Sequence, residues 1–208
     1  MEQTLVEAIR SYSILENTTY KIGLTRKSNP ATITLEIKFS SEFFFHLFGF
    51  HYLENLDENV NKQTLFKNLR TLVYSNKLLS QSRYYNQIMT SPSFQTPTIQ
   101  NRLNIIKDLP YLLDRFSKKN SYWKYIDYKG INTTIDWDYL IILSSDENTT
   151  NQEKLLFLRK DPNNNYLVPI SIFSQEPRDK DYLDYKHNQT RYDICNLTKI
   201  CYKKESST

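Results

Sequence analysis

The stretch Lys154-Leu155-Leu156-Phe157-Leu158-Arg159-Lys160, then Asp161-Pro162-Asn163-Asn164-Asn165, then Tyr166-Leu167-Val168-Pro169-Ile170-Ser171-Ile172-Phe173 decides the fold class. Two short runs of branched aliphatic and aromatic residues flank a segment whose Asp, Pro and Asn residues favour a tight reversal. That is the signature of two antiparallel neighbours. Pro169 within the second run marks an edge, a bulge or a strand start, because proline has no N–H for the ladder. Ser171 alternates with Ile170 and Ile172 and is expected to face away from both.

Working outward, residues 123–128, 135–143 and 191–200 also read as strands. Near the start, residues 20–26, a turn at Ser28-Asn29-Pro30 and residues 32–39 read as a hairpin. Ile33, Leu35, Ile37 and Phe39 alternate there with Thr34, Glu36 and Lys38 at the period of a half-buried strand. Helical spacing appears over residues 4–16, with Leu5, Val6, Ile9 and Ile14 on one side, and most clearly over 61–79, through Leu65, Phe66, Leu69, Leu72 and Val73. Ser40 or Ser41 is placed to cap a helix running to about residue 56. Residues 90–97 read as a Ser/Thr/Pro loop. Residues 99–109, with Leu103, Ile106 and Leu109 inward, and 111–116 read as two further helices. Helices gathered in the first half and strands in the second predict α+β: a small antiparallel sheet with helices packed on one side. The 208 residues suit a single domain over 1–208.

The net charge of +4 and pI of about 8.8 are compatible with nucleic-acid binding without requiring it. The 16 tyrosines and 11 phenylalanines supply rings that pack a core or, when exposed, stack on bases. Cys195 and Cys201 share a face of one expected strand, too far apart along it to bridge, which reads as a reduced chain. No apolar run approaches the ~18 residues that span a bilayer. The first ten residues lack the order of a secretory signal. The expectation is a cytoplasmic protein without a membrane partner.

Three glycines leave no phosphate-binding loop and no dinucleotide fingerprint. No Cys/His set has zinc spacing, and no Gly-x-Ser-x-Gly elbow occurs. Asp136-Trp137-Asp138 sets two carboxylates on one strand face, a solvated pair lacking a third ligand. No cofactor or metal is expected.

Chemistry concentrates in Phe43-Phe44-Phe45-His46-Leu47-Phe48-Gly49-Phe50-His51, which holds two of the chain's three histidines. An imidazole near neutrality can donate or accept a proton. On one helix, residues five apart point about 140° away from each other. His46 and His51 are therefore expected to diverge, one toward a cleft and the other exposed or packed elsewhere. Arg83 beside Tyr84 and Tyr85 offers a phosphate contact next to stacking rings, or simply packing.

The order of a strand, then Phe-x-His-Leu-x-Gly-Phe-His (44–51), Asp-Tyr-Leu (138–140), Leu-Phe-Leu-Arg (156–159), Tyr-x-x-Pro-x-Ser-x-Phe (166–173), and Tyr185 with Gln-x-Arg (189–191) before a last strand resembles a phage-associated nuclease family. Its kin are barnase, EndoU, the tRNase colicins and RelE. The resemblance spans residues 19–200, with a helical insert at about 61–119 that it does not cover. It implies metal-independent RNA cleavage by 2′-hydroxyl attack, in the manner of a toxin, with a cognate antitoxin or inhibitor as a partner. Carried onto this chain, it gives His46 as acid or base and Arg159 for transition-state charge. Lys160 on the opposite strand face is the lesser cation. Ser171, Tyr185 and Gln189 position phosphate or carry protons, and His51 and Arg191 complete the substrate-binding set. The alternative is a non-catalytic RNA- or protein-binding module, such as an accessory or immunity-type protein of a mobile element.

Overall fold

The computed structural model describes residues 1–26, 29–115, 122–125, 133–143, 152–187 and 189–202, with backbone alone at 29–30 and 122–125. The chain divides into two compact units: Met1–Glu16 with Phe39–Pro110, and Asn17–Lys38 with Tyr111–Thr208. The class is α+β.

In the strand unit, seven strands close into a barrel. They are β1 (Thr18–Arg26), β2 (Asn29–Lys38), β3 (Tyr122–Tyr125), β4 (Tyr139–Leu143), β5 (Glu153–Lys160), β6 (Leu167–Gln175) and β7 (Thr190–Cys201), in the order β1-β2-β6-β5-β4-β3-β7. The sheet is therefore not the small one expected, and one of its pairings, β2 with β6 through Ile37 and Leu167, is parallel. Closure depends on the length of β7. Its first residues pair with β3, and the rest of the strand pairs with β1, where Cys201 lies opposite Thr18. A sheet closed this way leaves few unpaired strand edges. Ser28 of the expected hairpin turn and the end of the expected strand 123–128 lie outside the described residues.

The central strands bury side chains on both faces, so β4 reads as an unbroken apolar run instead of an alternating one. One face gathers Trp137, Leu140, Leu155, Phe157 and Tyr185, with Ile142, Ile170, Phe173 and Leu183 against them. Between Phe157↔Ser171 and Leu158↔Pro169 the register slips by one residue, so Pro169 adjoins a bulge centred on Ile170. The bulge breaks the expected alternation: Ile170 joins the cluster around Phe157, the residue that Ser171 opposes. The turn at 161–166 forms as expected, with the Asp161 N–H donating to the Tyr166 carbonyl at 2.9 Å.

The helical unit contains α1 (Glu2–Glu16), α2 (Phe44–Leu47), α3 (Lys62–Tyr74), α4 (Tyr85–Met89) and most of α5 (Pro97–Asp114). α1 buries Leu5, Ala8, Ile9, Tyr12 and Leu15, while Ile14, expected on that side, is 49% exposed. Ile14 lies too far around the helix from the Leu5–Ile9–Tyr12 stripe to reach the core. Tyr12 centres an aromatic core, meeting Phe44, Phe48 and Phe66 edge-on at 6.0, 5.7 and 5.3 Å. Its hydroxyl donates to the Ser40 carbonyl at 2.7 Å. The two helices expected over 99–109 and 111–116 are one, α5, which passes through Pro110. Proline removes one N–H and disfavours helix in the residue before it, but the burial of Leu109 and Leu113 on a shared face carries the helix across.

Candidate functional site

The helix expected from Ser40 to about residue 56 is broken. α2 ends at Leu47, and Gly49 takes up φ +76°, a left-handed conformation that side chains disfavour. A 3₁₀ turn, Phe50–Tyr52, then leaves in a new direction, with the Tyr52 N–H donating to the Gly49 carbonyl at 3.0 Å. The reversal overturns the expected divergence of the histidines. Their ring centroids lie 5.0 Å apart, because residues separated by a glycine turn do not follow helical spacing.

Around the pair Phe44, Phe45, Phe48 and Phe50 are buried, none more than 8% exposed, and the His46 ring meets that of Phe45 edge-on at 5.8 Å, while both histidines keep access to solvent. Lys62, in the first turn of α3, brings its ammonium 3.3 Å from His46 Nε2. An ammonium has no acceptor, so the contact requires a lone pair on Nε2 and a neutral His46 carrying its proton on Nδ1. The position of Lys62 follows from Asn61, whose Oδ1 accepts from the Thr64 N–H at 2.9 Å and caps the helix. From α5, Arg102 places its guanidinium 3.5 Å from the His46 carbonyl, to which the Gly49 N–H also donates at 3.1 Å. Arg102 is only 5% exposed.

The electrostatics follow from this frame. Desolvation lowers the His46 pKa, and Lys62 and Arg102 lower it further. His51 is pushed down to about 4, first by desolvation, then by His46 and Arg102, against a hydrogen bond to the Phe45 carbonyl that pulls the other way. That bond uses a ring N–H of His51, leaving the other nitrogen as an acceptor. The cationic frame attracts an anion, and a neutral imidazole beside it can take up a proton from a neighbouring hydroxyl.

The remaining sequence candidates are placed differently. Arg83 lays its guanidinium over the Tyr84 ring at 4.6 Å and hydrogen-bonds its hydroxyl. Tyr84 is buried, and Tyr85 donates to Glu2 at 3.0 Å, so this pair packs instead of presenting stacking faces. In the strand unit, Arg159 is exposed and pairs with Asp136 at 3.4 Å, and the Lys160 N–H donates to Asp138 Oδ2 at 2.7 Å. The Asp136-Trp137-Asp138 carboxylates thus tie the approach to β4 onto the end of β5, with Trp137 buried between them. Ser171 is buried opposite Phe157, whose ring Tyr185 meets at 4.9 Å. Burial raises the Tyr185 pKa, partly offset by a hydrogen bond to Thr133. Gln189 is half-buried before β7, and Arg191 is exposed with its Nε 3.7 Å from Asp193. Cys195 and Cys201 are free thiols. Among the described residues no group of three or more His, Cys, Asp or Glu could hold a metal ion, and no helix is long and apolar enough to cross a membrane.

Sequence reading missed Lys62, Arg102 and Tyr52. Arg102 carried a signal, being a charged residue between Ile99 and Ile106 on the apolar stripe of α5. Lys62 and Tyr52 carried none: Tyr52 follows the turn at Gly49, and Lys62 reaches the pair from α3.

The structure thus sets two accessible imidazoles among the cations Lys62 and Arg102 in an α+β protein. The model of the family described as phage-Barnase-EndoU-ColicinE5/D-RelE like nuclease 4 matches residues 4–206, and the chain belongs to that nuclease family. The match takes in the whole helical insert, which the resemblance read from the sequence did not cover. No curated protein and no solved structure gave a significant match.

Proposed function

We propose that this nuclease is an endoribonuclease that works without a metal, and that His46 is its base. The observation that carries this reading is the His46–His51 pair with Lys62 on His46 Nε2. A phosphodiester entering the frame draws the Lys62 ammonium to its nonbridging oxygens and frees Nε2. His46 then takes the proton of the ribose 2′-hydroxyl, and that oxygen attacks phosphorus. The P–O5′ bond breaks, the leaving oxygen takes a proton from Lys62, and a 2′,3′-cyclic phosphate remains. A divalent cation would meet repulsion from Lys62 and Arg102 at this site, which favours the metal-independent route.

In the strand unit, taken by itself, Arg159, Lys160 and Arg191 are exposed cations open to RNA phosphate. Ser171, Tyr185 and Gln189 are buried or half-buried, which suits a supporting role better than direct proton transfer. A cytoplasmic toxin held by a cognate inhibitor protein is the biological setting that fits such an activity.

The test is RNA cleavage in EDTA by the wild type beside His46→Ala, with circular dichroism showing both folded. Loss of cleavage in the variant alone, with 2′,3′-cyclic phosphate ends from the wild type, is the expected result. If both proteins bind RNA and neither cuts it, a binding module replaces the ribonuclease.

A further inference from the structure

Within residues 44–52 every large aromatic side chain is buried except one. Tyr52 is 46% exposed, although it closes the same turn that buries Phe50. Its ring lies 3.9 Å from that of His51, at 43°, and His51 lies 5.0 Å from His46, so the three rings run in sequence. Tyr52 is also held in place. The buried Arg102 guanidinium sits 5.6 Å from its ring centroid and hydrogen-bonds its hydroxyl. A Cβ at Gly49 would lie only 3.5 Å from Tyr52 Cδ2, so the backbone there adjoins one ring edge. An aromatic ring that is immobilised, partly open to water and two ring contacts from a candidate base has already lost the freedom that stacking would cost it.

We propose that Tyr52 is the platform on which an unpaired base of the substrate stacks, making single-stranded RNA the substrate class. This rests on the ribonuclease reading of the same site. A base inside a duplex is already stacked on its neighbours, and in A-form RNA its edges lie in grooves that one projecting side chain cannot exploit. A base in a single strand or loop is free to swing onto the ring, bringing its own sugar and phosphate toward the imidazoles. Stacking on a ring tolerates any base, so the platform selects strandedness rather than sequence. Tyr52 is a positioning residue here, because it holds the nucleotide and does not touch the proton in flight.

The experiment uses a 2′-O-methyl RNA oligonucleotide carrying 2-aminopurine, which cannot be cleaved by 2′-oxygen attack. Its binding to the whole protein is measured for wild type, Tyr52→Phe and Tyr52→Ala, single-stranded and annealed to a complement. The expected result is single-strand binding that Tyr52→Ala weakens roughly tenfold or more, with loss of 2-aminopurine quenching. Tyr52→Phe keeps both, since the ring is retained, and the duplex binds weakly and without regard to residue 52.

Three outcomes overturn the proposal: no single-strand binding by the wild type, equal binding by Tyr52→Ala, or Tyr52→Phe failing as badly as Tyr52→Ala. The last would mean that the hydroxyl's bond to Arg102 matters structurally and the ring face does not. Binding through Tyr52 by a protein that cuts no RNA would defeat the ribonuclease reading and leave the platform standing. His46-dependent cleavage with an indifferent Tyr52→Ala would do the reverse.

Discussion

In the loop around Gly49, phenylalanines are buried and the imidazoles among them stay accessible; around Phe157, the hydroxyl-bearing Ser171 and Tyr185 are buried with the aromatics. Both regions hold residues that sequence and resemblance single out for chemistry. The difference lies in what each backbone does with a polar side chain. A short helix broken by a left-handed glycine buries its apolar residues and leaves the others open to solvent. A sheet buried on both faces has no solvated side to give them, so a serine or tyrosine there becomes part of the packing. The same residue types therefore argue for chemistry in the first region and for support in the second.

The contrast is broken most directly by alanine scanning of cleavage. His46→Ala is expected to lower kcat/KM on RNA by ~10²–10⁴-fold, the usual worth of a positioned proton-transfer group, and Ser171→Ala by less than about tenfold. Equal losses, measured with both variants folded, would move the catalytic centre into the strand unit.

Stability should run the other way. Trp137, 2% exposed, anchors the cluster with Phe157 and Tyr185, and Trp137→Ala is expected to cost about 3–5 kcal/mol by cavity formation. His51→Ala, at an accessible position, should stay within about 1 kcal/mol. Urea unfolding compares the two, and a larger loss at His51 would mean the imidazole is part of the core.

Two glycines sharpen the same comparison. Gly49→Ala forces a Cβ into left-handed backbone, about 1–2 kcal/mol of strain, and sets it 3.1 Å from Arg102 Cδ, so the turn that joins the histidines should shift. Gly23 on β1 would put a Cβ 2.4 Å from the side-chain amide of Asn196, which is exposed and can swing away. Cleavage should drop for Gly49→Ala and hold for Gly23→Ala. Retained activity in Gly49→Ala would show that the histidine pair does not depend on the reversal.

How far the sequence could be read follows from the range of the interactions involved. Each expected strand has a counterpart among the described residues, because period-2 patterns and the Asp161–Asn165 turn are local signals, although β4 begins at Tyr139 and not at residue 135. The helical spacing of α3 was legible for the same reason, although the helix ends at Tyr74 and not at residue 79. The barrel was not, because closure requires β7 to pair with both β1 and β3, far apart in sequence. His46 and His51 were visible as residues, but not as a pair. One glycine torsion decides that, and a helix continuing through Gly49 would have kept them apart. Arg102 and Lys62 reach the pair from other helices, so no spacing around residue 46 announces them.

The smallest expected effect is on pH. If His46 is the base, it must be neutral to act, and its pKa is lowered from 6.5 by burial and then by Lys62 and Arg102. The acid limb of wild-type kcat/KM should therefore fall below 6.5. Lys62→Met also removes the proposed leaving-group acid, so its effect is read from the His46 imidazole resonances by NMR, whose titration should move upward with one depressing charge gone. His51 bears on stability. Its folded pKa of about 4 lies below the ordinary 6.5, so between those values the unfolded chain binds more protons. Stability from this residue is complete above 6.5, is lost as pH falls toward about 4, and is flat below that. The residue is accessible, so solvent screening keeps the effect modest. Thermal unfolding of wild type and His51→Gln from pH 7 to pH 4 isolates it, because glutamine does not titrate. A shallower decline in the variant is expected, and parallel curves would mean that His51 does not sit in the cationic frame as described.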